Sequence, residues 1–454
     1  MTQVTLDKET TRQSVEKLPV KTDIFYAMIT LGSTVIWSMV SGWLLYFYLA
    51  PEGKGKVLVP ATLYGTVIFI TRIVNALIAP SIGYLSDHTN SKWGRRLPFM
   101  FVSALPLLIF FALLWKPPVN GLSIWNLVYL SLVLLCYNLA YSANQVTYMA
   151  LLPEIAQTDH HRVRISAWSS SFLLIGMIVG GLAGPIIEKW GYARTGLLYA
   201  IGMLPFFYLP FLVLREQKIQ PAPTSKRTHL LEDIQSTLQN PAFRIMTATG
   251  IFYWSTTTFV QSVIPYIVTE VCQLSVADTM YFYIPGVLAS LICYPIVTWL
   301  AKKHGKWAVF AGSLLSTALV LPGLLLIGDW IPIPLKTQGI LWVTLQAIAM
   351  SGVTMLPAAF GAEIATYDTK LTGQHREGVY YATWGLLDQV INGVAASLLP
   401  LLLLLGRSQS DPHGPLGVRL IGVLGSVFMF LGFLIFLKYP LKKPSDTQEE
   451  INEH

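Results

Sequence analysis

Twelve long apolar stretches limit what this chain of 454 residues can fold into. Each is close to the roughly 20 residues that an α-helix needs to cross the hydrocarbon core of a bilayer. Most are continuously apolar rather than alternating between apolar and polar residues, which disfavours membrane-spanning β-strands. The sequence therefore predicts an all-α membrane protein with twelve transmembrane helices. The predicted spans cover residues 24–50, 57–86, 97–115, 124–151, 165–187, 194–214, 245–271, 277–300, 307–328, 338–362, 378–405 and 417–438.

Composition excludes most soluble classes of protein. Hydrophobic residues make up 53% of the chain and charged residues 12%, and the mean hydropathy is +0.54, whereas about 25% of an ordinary soluble domain is charged. A soluble enzyme, a nucleic-acid-binding protein and a disordered chain are therefore disfavoured. The three cysteines lie in apolar stretches, and all eight histidines lie in polar segments. We consequently expect no metal site, no cofactor and no nucleic-acid partner.

The placement of Lys and Arg predicts the orientation in the membrane. The first 23 residues are polar and lack the short basic start and small-residue cleavage site of a signal peptide. With a cytoplasmic N-terminus, 22 of the 31 basic residues fall in cytoplasmic segments and 8 in outer segments. Because basic residues accumulate on the cytoplasmic side, both termini are expected there. The localisation that follows is the cell (inner or plasma) membrane, crossed many times.

A long polar segment at 215–244 divides the spans into two groups of six. Basic residues follow both span 2 and span 8. The dipeptide Glu-Ile occurs at the end of span 4 (Glu154) and again at the end of span 10 (Glu363), and the two repeats are separated by similar numbers of residues. Parallel repeats of six helices around a central cavity are typical of alternating-access transporters. The predicted organisation is a cytoplasmic N-tail at 1–23, an N-terminal bundle at 24–214, a cytoplasmic linker at 215–244, a C-terminal bundle at 245–438 and a cytoplasmic C-tail at 439–454.

Two charged residues fall near the middle of the membrane, Arg72 in span 2 and Asp388 in span 11. An unpaired charge at the centre of a spanning helix costs roughly 2.5–3.5 kcal/mol on insertion scales, so each is expected to have a partner or a water-filled cavity. Their depths agree to within about a helical turn. We therefore hypothesise an Arg72–Asp388 pair across the interface between the halves. It is either a latch that responds to protons or substrate, or a purely structural salt bridge.

Uncharged polar and aromatic residues at membrane depth are candidates for substrate contacts. Asn and Gln side chains carry both donors and acceptors, which suits a polyol, and aromatic faces can stack on a sugar ring. The alternative for each residue is hydrogen bonding or packing between helices, where hydrogen bonds average about 0.6 kcal/mol. The candidates are Asn75, Asn144, Gln145, Tyr148, Trp254, Gln261, Trp384 and Asn392.

Charged residues also collect at the cytoplasmic ends of the predicted helices. Paired charges there can hold the two halves together while the cavity opens outward, and they separate when it opens inward. The alternative is that the basic members only reflect membrane topology. The residues of this candidate cytoplasmic gate are Asp87, Arg95, Arg96, Glu154, Arg164, Glu363, Asp368 and Arg376.

Several motifs resemble one family of transporters. The sequence GYLSD at 83–87, followed by WGRR at 93–96, is similar to the helix 2–3 signature of the major facilitator superfamily. More narrowly, residues 72–96 resemble the glycoside–pentoside–hexuronide cation symporters, the family of the melibiose carrier. The LLPE sequence at 151–154 and the AEI sequence at 362–364 match that family as well. The resemblance implies a fold of two six-helix bundles and cation-coupled transport of sugars or glycosides.

The charged centre implied by that resemblance is altered in this chain. The two aspartates that the family carries on helix 2, which help to bind the coupling cation, correspond to Asn75 and Ala79. The sugar-binding aspartates of helices 1 and 4 correspond to Thr34 and Gln145, and the helix 11 lysine of the melibiose carrier falls near Gln389. The resemblance therefore adds Thr34 to the candidate substrate residues and disfavours a sodium site.

These observations predict a secondary transporter that moves a small polar solute, a sugar or a glycoside, by alternating access. A proton is the expected coupling ion because Asp388 is the buried group able to titrate. The alternatives on the same scaffold are a lysolipid or amphiphile transporter and an uncoupled facilitator. A membrane enzyme is disfavoured, since no cluster of nucleophiles, bases or metal ligands lies at depth. The expected partners are the solute, a proton and the lipid bilayer, and we expect a monomer.

Overall fold

The computed structural model describes residues 20–51, 55–89, 91–155, 159–214, 235, 237–372, 377–405 and 416–441. These residues form helices joined by short turns, with a single isolated bridge between Leu49 and Val57. The helices are α1 Val20–Tyr48, α2 Ala61–Asp87, α3 Leu97–Leu113, α4 Ile124–Ile155, α5 Asp159–Gly181, α6 Ala183–Leu214, α7 Pro241–Tyr266, α8 Met280–His304, α9 Lys306–Val320, α10a Leu335–Met355, α10b Pro357–Thr372, α11 Glu377–Leu403 and α12 Leu416–Phe436.

The helices confirm the all-α membrane fold. In the described residues, ten helical segments are long and apolar enough to cross a membrane, and α3 is a shorter apolar helix. The remaining predicted span, α7, is richer in hydroxyl side chains. Successive hydroxyls from Ser255 to Thr257 donate hydrogen bonds to main-chain carbonyls four residues earlier, as Ser and Thr often do inside helices. Hydroxyls satisfied in this way are tolerated at membrane depth.

Glycine and proline determine where several helices begin, bend and end. Gly191 has φ 77° and ψ 166° and breaks the Ala183–Leu214 range, at the position predicted between spans 5 and 6. Gly305, with φ 86°, separates α8 from α9. The predicted tenth span is broken at Leu356 into α10a and α10b, because Pro357 has no N–H to continue the helical hydrogen bonds.

The same helix pairs are in contact in each half of the chain. In the first half, α1 packs on α5 and α6, α2 on α4, and α3 on α4 and α6. Six helices later, α7 packs on α11 and α12, α8 on α10a, and α9 on α10a and α12. The fold is therefore two six-helix bundles with related packing. Most of the predicted linker at 215–244 lies outside the described residues.

Three pairs of long helices join the two bundles, α2 with α11, α1 with α7, and α5 with α8, and α6 also contacts the short 3₁₀ helix Val276–Thr279 and the start of α8. The α2–α11 contact is the most extensive of the three. Close approach depends on glycine at this contact, since a Cβ atom at Gly65 would lie 2.4 Å from the carbonyl oxygen of Ser397, and one at Gly393 would lie 2.9 Å from Arg72 Cβ. Small residues of this kind let membrane helices pack with their backbones close together.

Candidate functional site

A group of polar side chains lies where α2, α7 and α11 meet, near the middle of the membrane. We call it the polar cluster. It joins residues of the first bundle to residues of the second. Its members are Arg72, Asn75, Thr258, Asp388, Gln389 and Asn392.

Hydrogen bonds connect most of the polar cluster. Asn75 Nδ2 donates to Gln389 Oε1 over 2.5 Å, from α2 to α11. Thr258 Oγ1 donates to Asn392 Oδ1 over 2.5 Å, from α7 to α11. Asn392 Nδ2 in turn donates to Asp388 Oδ1 over 2.9 Å. The Asp388 carboxylate is thus held by an amide that is itself fixed by α7.

Arg72 lines a small cavity between the bundles. The cavity has a volume of about 70 Å³ and is bounded by α1, α2, α4, α7 and α11. No hydrogen bond or salt bridge joins the Arg72 guanidinium to another residue in the part of the chain that the structure describes. The polar residues that line the cavity beside Arg72 are uncharged at neutral pH: Ser41, Tyr64, Thr71, Asn138, Thr258 and Ser262.

Arg72 and Asp388 are close enough to interact electrostatically, but these two described side chains do not form a salt bridge. Helical side chains lean toward the N-terminus of their own helix, and α2 and α11 run in opposite directions. Arg72 lines the same cavity as Tyr64 near the outer end of α2, whereas the Asp388 carboxylate is hydrogen-bonded to Asn392. The predicted pairing is therefore an electrostatic contact across the interface rather than a direct ion pair in this conformation.

Three of the predicted substrate residues lie where α1 meets α4 and α5. Gln145 Nε2 donates to Ser33 Oγ over 2.6 Å. The hydroxyl oxygens of Tyr148 and Thr30 lie 2.8 Å apart, and the Tyr148 ring stacks on another α1 side chain, Tyr26. Thr34 is buried against Gly176 of α5. These side chains brace the first bundle next to the interface.

Asn144, Trp254 and Trp384 have different neighbours. Asn144 points away from α1, and its Nδ2 donates to the Met100 carbonyl oxygen of α3 over 3.2 Å. The half-buried Trp254 ring lies 5.4 Å from that of Tyr253, and the Trp384 ring packs edge-on against Phe243. The structure therefore places Asn144 inside the first bundle and the two tryptophans in the second.

Gln261 lines a second and larger cavity. This cavity has a volume of about 170 Å³ and lies between α1 and α5 of the first bundle and α7, α8 and α10a of the second. Its walls are mainly apolar, with Trp37, Met177 and Met350 among them. Ser41 borders both cavities. The larger cavity therefore adjoins the Arg72 cavity across the α1–α7 contact.

The outer side of the interface is closed by hydrogen bonds and close packing. The Tyr266 hydroxyl at the end of α7 lies 3.2 Å from the carbonyl oxygen of Leu45 in α1 and 3.0 Å from that of Leu49 just after α1, and its one proton is shared between them. Tyr46 donates to Thr269 Oγ1 over 3.2 Å. These contacts lie between the polar cluster and the outer surface, so this conformation separates the polar cluster from the outer side.

Comparison with known proteins determines the family. Residues 25–443 match the model of the MFS/sugar transport protein family. The chain belongs to this family. It is 24% identical to an uncharacterized symporter of Synechocystis sp., sll1374, and 24% identical to the glucuronide carrier protein homolog of Escherichia coli, in each case over 96% of both chains. Among solved structures, the nucleoside transporter NupG superposes with a TM-score of 0.63 over 92% of this chain and 98% of that one, at 11% identity.

Membership in the MFS/sugar transport protein family defines the general activity. The chain is a secondary transporter rather than an enzyme, and it moves a small-molecule solute. The apolar helices and the family together make it a multi-pass inner-membrane protein. The likeness to NupG at 11% identity concerns the fold alone. In the described residues, no three His, Cys, Asp or Glu side chains lie close enough to hold a metal ion.

The residues of the candidate cytoplasmic gate have several kinds of surroundings. Arg164 Nε donates to Asp23 within the first bundle, and Glu363 Oε1 lies 3.1 Å from Lys306 Nζ within the second. Arg95, Arg96 and Asp368 make interactions whose partners the structure does not describe. The side chains of Asp87 and Glu154, and the whole of Arg376, lie outside the described part of the chain. The gate therefore stays a prediction.

Asp23 was missed by the sequence analysis, which ended the polar tail at residue 23. Its carboxylate is fully buried in the first turn of α1, where His161 Nε2 lies 2.5 Å from Oδ1 and Arg164 donates to Oδ2. The helix consequently begins at Val20, inside the predicted tail. The available signal was an acidic residue directly before an apolar run, a position that the positive end of the helix dipole favours.

Proposed function

We propose that this transporter carries a sugar or glycoside and binds it at the polar cluster. The observation that carries the proposal is that the cluster is built by α2 of one bundle and by α7 and α11 of the other, at mid-depth. A solute bound there contacts both bundles, so its binding affects how they move relative to each other. The amides of Asn75, Gln389 and Asn392 offer the donors and acceptors that hydroxyl groups require. The relative named for glucuronide carriage supports this solute class.

Other residues that the sequence predicted to contact the substrate form the walls of the proposed site. Gln145, Tyr148 and Thr34 fix α1 against α4 and α5 beside the interface. Gln261 lines the neighbouring cavity. We propose that the two bundles rock about the polar cluster and that the charged residues of the cytoplasmic gate close the inner side when the outer side opens. One chain supplies both bundles, which supports a monomer as the transporting unit.

We further propose that a proton is the coupling ion and that Asp388 binds it. A carboxylate at this position can take up and release a proton while it remains hydrogen-bonded to Asn392. The resemblance to the glycoside–pentoside–hexuronide symporters implies that their cation-binding aspartates correspond to Asn75 and Ala79, where this chain has no charge. Asn75 is instead engaged with Gln389, and these neutral groups do not favour sodium over a proton.

Purified protein in sealed vesicles tests the proposal. Radiolabelled sugars are measured in counterflow, and their accumulation is driven by a pH gradient or by a sodium gradient. Asp388→Asn, which resembles the protonated carboxyl, is expected to keep counterflow and to lose at least tenfold of the accumulation driven by the pH gradient. Asp329→Asn, in an exposed outer loop, is the matched control and is expected to behave like the unaltered protein. Full accumulation by Asp388→Asn, or accumulation that requires sodium, contradicts proton coupling through Asp388.

A second candidate solute is a lysolipid or another amphiphile, and the larger cavity favours it. The mainly apolar walls of this cavity suit an alkyl chain, and Ser41 links it to the polar cavity. Uptake of a labelled lysophospholipid in the same vesicles, with no counterflow of any sugar, would replace the sugar with this solute. Counterflow of a sugar without accumulation under either gradient would instead identify an uncoupled facilitator.

A further inference from the structure

An aromatic groove opens on the lipid-facing side of the first bundle, between α3 and α6 near the cytoplasm. We call it the α3–α6 groove. Its volume of about 490 Å³ is within the range of about 300–1,000 Å³ that is usual for ligand pockets. The described side chains that line it are all apolar or aromatic, and they belong to Phe101 of α3, to Trp93 in the loop before α3 and to residues 204–212 of α6. The described residues that line the two cavities between the bundles belong to other helices, so the groove lies outside the proposed transport route.

Ring contacts hold the walls of the α3–α6 groove in place. The Trp93 ring packs edge-on against Phe211, with the ring centres 5.1 Å apart. The Phe101 ring lies 4.5 Å from that of Phe211 and 5.0 Å from that of Tyr208. The loop, α3 and α6 are therefore joined at this point. The open side of the groove presents apolar surface to the bilayer, since Trp93 is 44% exposed and Leu209 is 40% exposed.

Basic residues border the cytoplasmic end of the groove. Trp93 lies in a short run that contains Lys92, Arg95 and Arg96, and residues 88–153 contain no Asp or Glu. Lys92 is exposed, whereas Arg95 and Arg96 are half-buried and also interact with other groups. A positive headgroup region therefore adjoins an apolar groove. This arrangement matches a phospholipid of the cytoplasmic leaflet, whose phosphate lies at the membrane surface and whose acyl chains extend into the bilayer.

We infer that the α3–α6 groove binds an anionic phospholipid of the cytoplasmic leaflet, with one acyl chain along α6 and the phosphate near Lys92. Each basic residue near the membrane surface favours an anionic lipid by roughly fivefold. Tryptophan is enriched at the level of the headgroups, which is where Trp93 lies. The groove alone accepts any lipid, and the basic run alone attracts any anion. Together they select a molecule that has both an acyl chain and a net negative headgroup.

Photoactivatable lipids test the inference on the full chain in nanodiscs. Phosphatidylglycerol and phosphatidylcholine with the same diazirine-bearing acyl chain are compared, and the labelled peptides are located by mass spectrometry. We expect phosphatidylglycerol to label residues 204–212 roughly fivefold more than phosphatidylcholine does. An excess of unlabelled phosphatidylglycerol should suppress this labelling, whereas glycerophosphoglycerol, the same headgroup without acyl chains, should not. Equal labelling by the two lipids, or suppression by glycerophosphoglycerol, overturns the inference.

Two pairs of variants separate the apolar part of the site from the basic part. Leu209→Trp fills the groove and should remove most of the labelling of residues 204–212, whereas Leu434→Trp, at an exposed leucine of α12, should retain it. Lys92→Gln is expected to lower the excess of phosphatidylglycerol labelling by roughly fivefold, and Lys438→Gln, at an exposed lysine after α12, to leave it unchanged. If Leu209→Trp does not fold, the comparison of the two lipids on the unaltered protein still provides the test. Unchanged labelling in Leu209→Trp, or an unchanged excess in Lys92→Gln, overturns the inference.

Discussion

Asn75 Nδ2 lies 2.5 Å from Gln389 Oε1, and this hydrogen bond joins the two bundles at mid-depth. The resemblance to the glycoside–pentoside–hexuronide symporters implies an aspartate at the first position and a lysine near the second. This chain therefore has two neutral amides where an acid and a base are implied, and the contact between α2 and α11 is preserved by a hydrogen bond. The polar cluster keeps one acidic and one basic side chain, Asp388 and Arg72.

Restoring the implied charges tests whether the two positions act as a pair. We expect Asn75→Asp and Gln389→Lys each to lower stability, because an unpaired charge at the helix centre costs on the order of 2.5–3.5 kcal/mol. The double variant should regain most of that loss, since each new charge has its partner at contact distance. Thermal unfolding in detergent measures the three variants. A double variant as unstable as the sum of the single ones would disprove the pairing.

Gly65 is expected to be essential for closing the outer side. Its added Cβ would lie 2.4 Å from the Ser397 carbonyl oxygen, so Gly65→Val must push α2 away from α11. With the three native cysteines replaced, a cysteine at position 41 should then react faster with a polar reagent added from outside. Gly202→Val, where nothing lies within 4 Å of the added Cβ, is the matched control. Unchanged labelling in Gly65→Val would show that the outer side closes without this contact.

Asp23 should contribute far more to stability than the exposed ion pairs do. Removing one partner of a buried pair costs about 3–5 kcal/mol, and the Asp23 carboxylate is fully buried while its partners His161 and Arg164 are partly exposed. Asp23→Asn is therefore expected to unfold at a clearly lower detergent concentration in an SDS titration. Lys306→Gln, which breaks a half-exposed pair with Glu363, should cost at most about 1 kcal/mol. Equal losses would mean that the Asp23 carboxylate is solvated in the native protein.

Tyr266→Phe should shift the transporter toward an outward-open state. The variant loses the hydrogen bond that the Tyr266 hydroxyl shares between two carbonyl oxygens at the end of α1. At about 0.6 kcal/mol, it corresponds to roughly a threefold change in the ratio of the two states. Distances between spin labels at positions 116 and 329, in the outer loops of the two bundles, report the change. Tyr281→Phe, which keeps the ring that packs on Lys336, is the control. A distance distribution identical to that of the unaltered protein would contradict the role of Tyr266.

The sequence was sufficient to predict the spans, their grouping and the orientation, because hydropathy and the distribution of Lys and Arg directly reflect the membrane. It was not sufficient to identify the neighbours of individual side chains. Asn144 and Gln145 were equal candidates, yet successive residues of a helix point about 100° apart. Gln145 therefore meets Ser33 of α1, whereas Asn144 meets Met100 of α3.

The relation between Arg72 and Asp388 also could not be predicted in full from the sequence. Counting residues predicted depths that agree to within about a turn, but the packing of α2 on α11 sets Arg72 beside Gly393, five residues along α11 from Asp388. The count also did not include the lean of each side chain toward the start of its own helix, which separates the two groups on antiparallel helices. Asp23 illustrates a third limit. From the sequence, an acidic residue next to an apolar run is expected to be exposed to solvent. The burial of Asp23 depends on two partners about 140 residues away, His161 and Arg164.

The outer closure made by Tyr266 has an evolutionary consequence. Its two alternative acceptors are main-chain oxygens at the end of α1 and just after it, which remain in place whichever side chains occupy positions 45 and 49. Descendant sequences can therefore exchange both leucines for other apolar residues of suitable size without losing this hydrogen bond. Loss of the phenol at position 266 has no such substitute. Mutational tolerance across this contact should consequently be asymmetric, wide on α1 and narrow on α7.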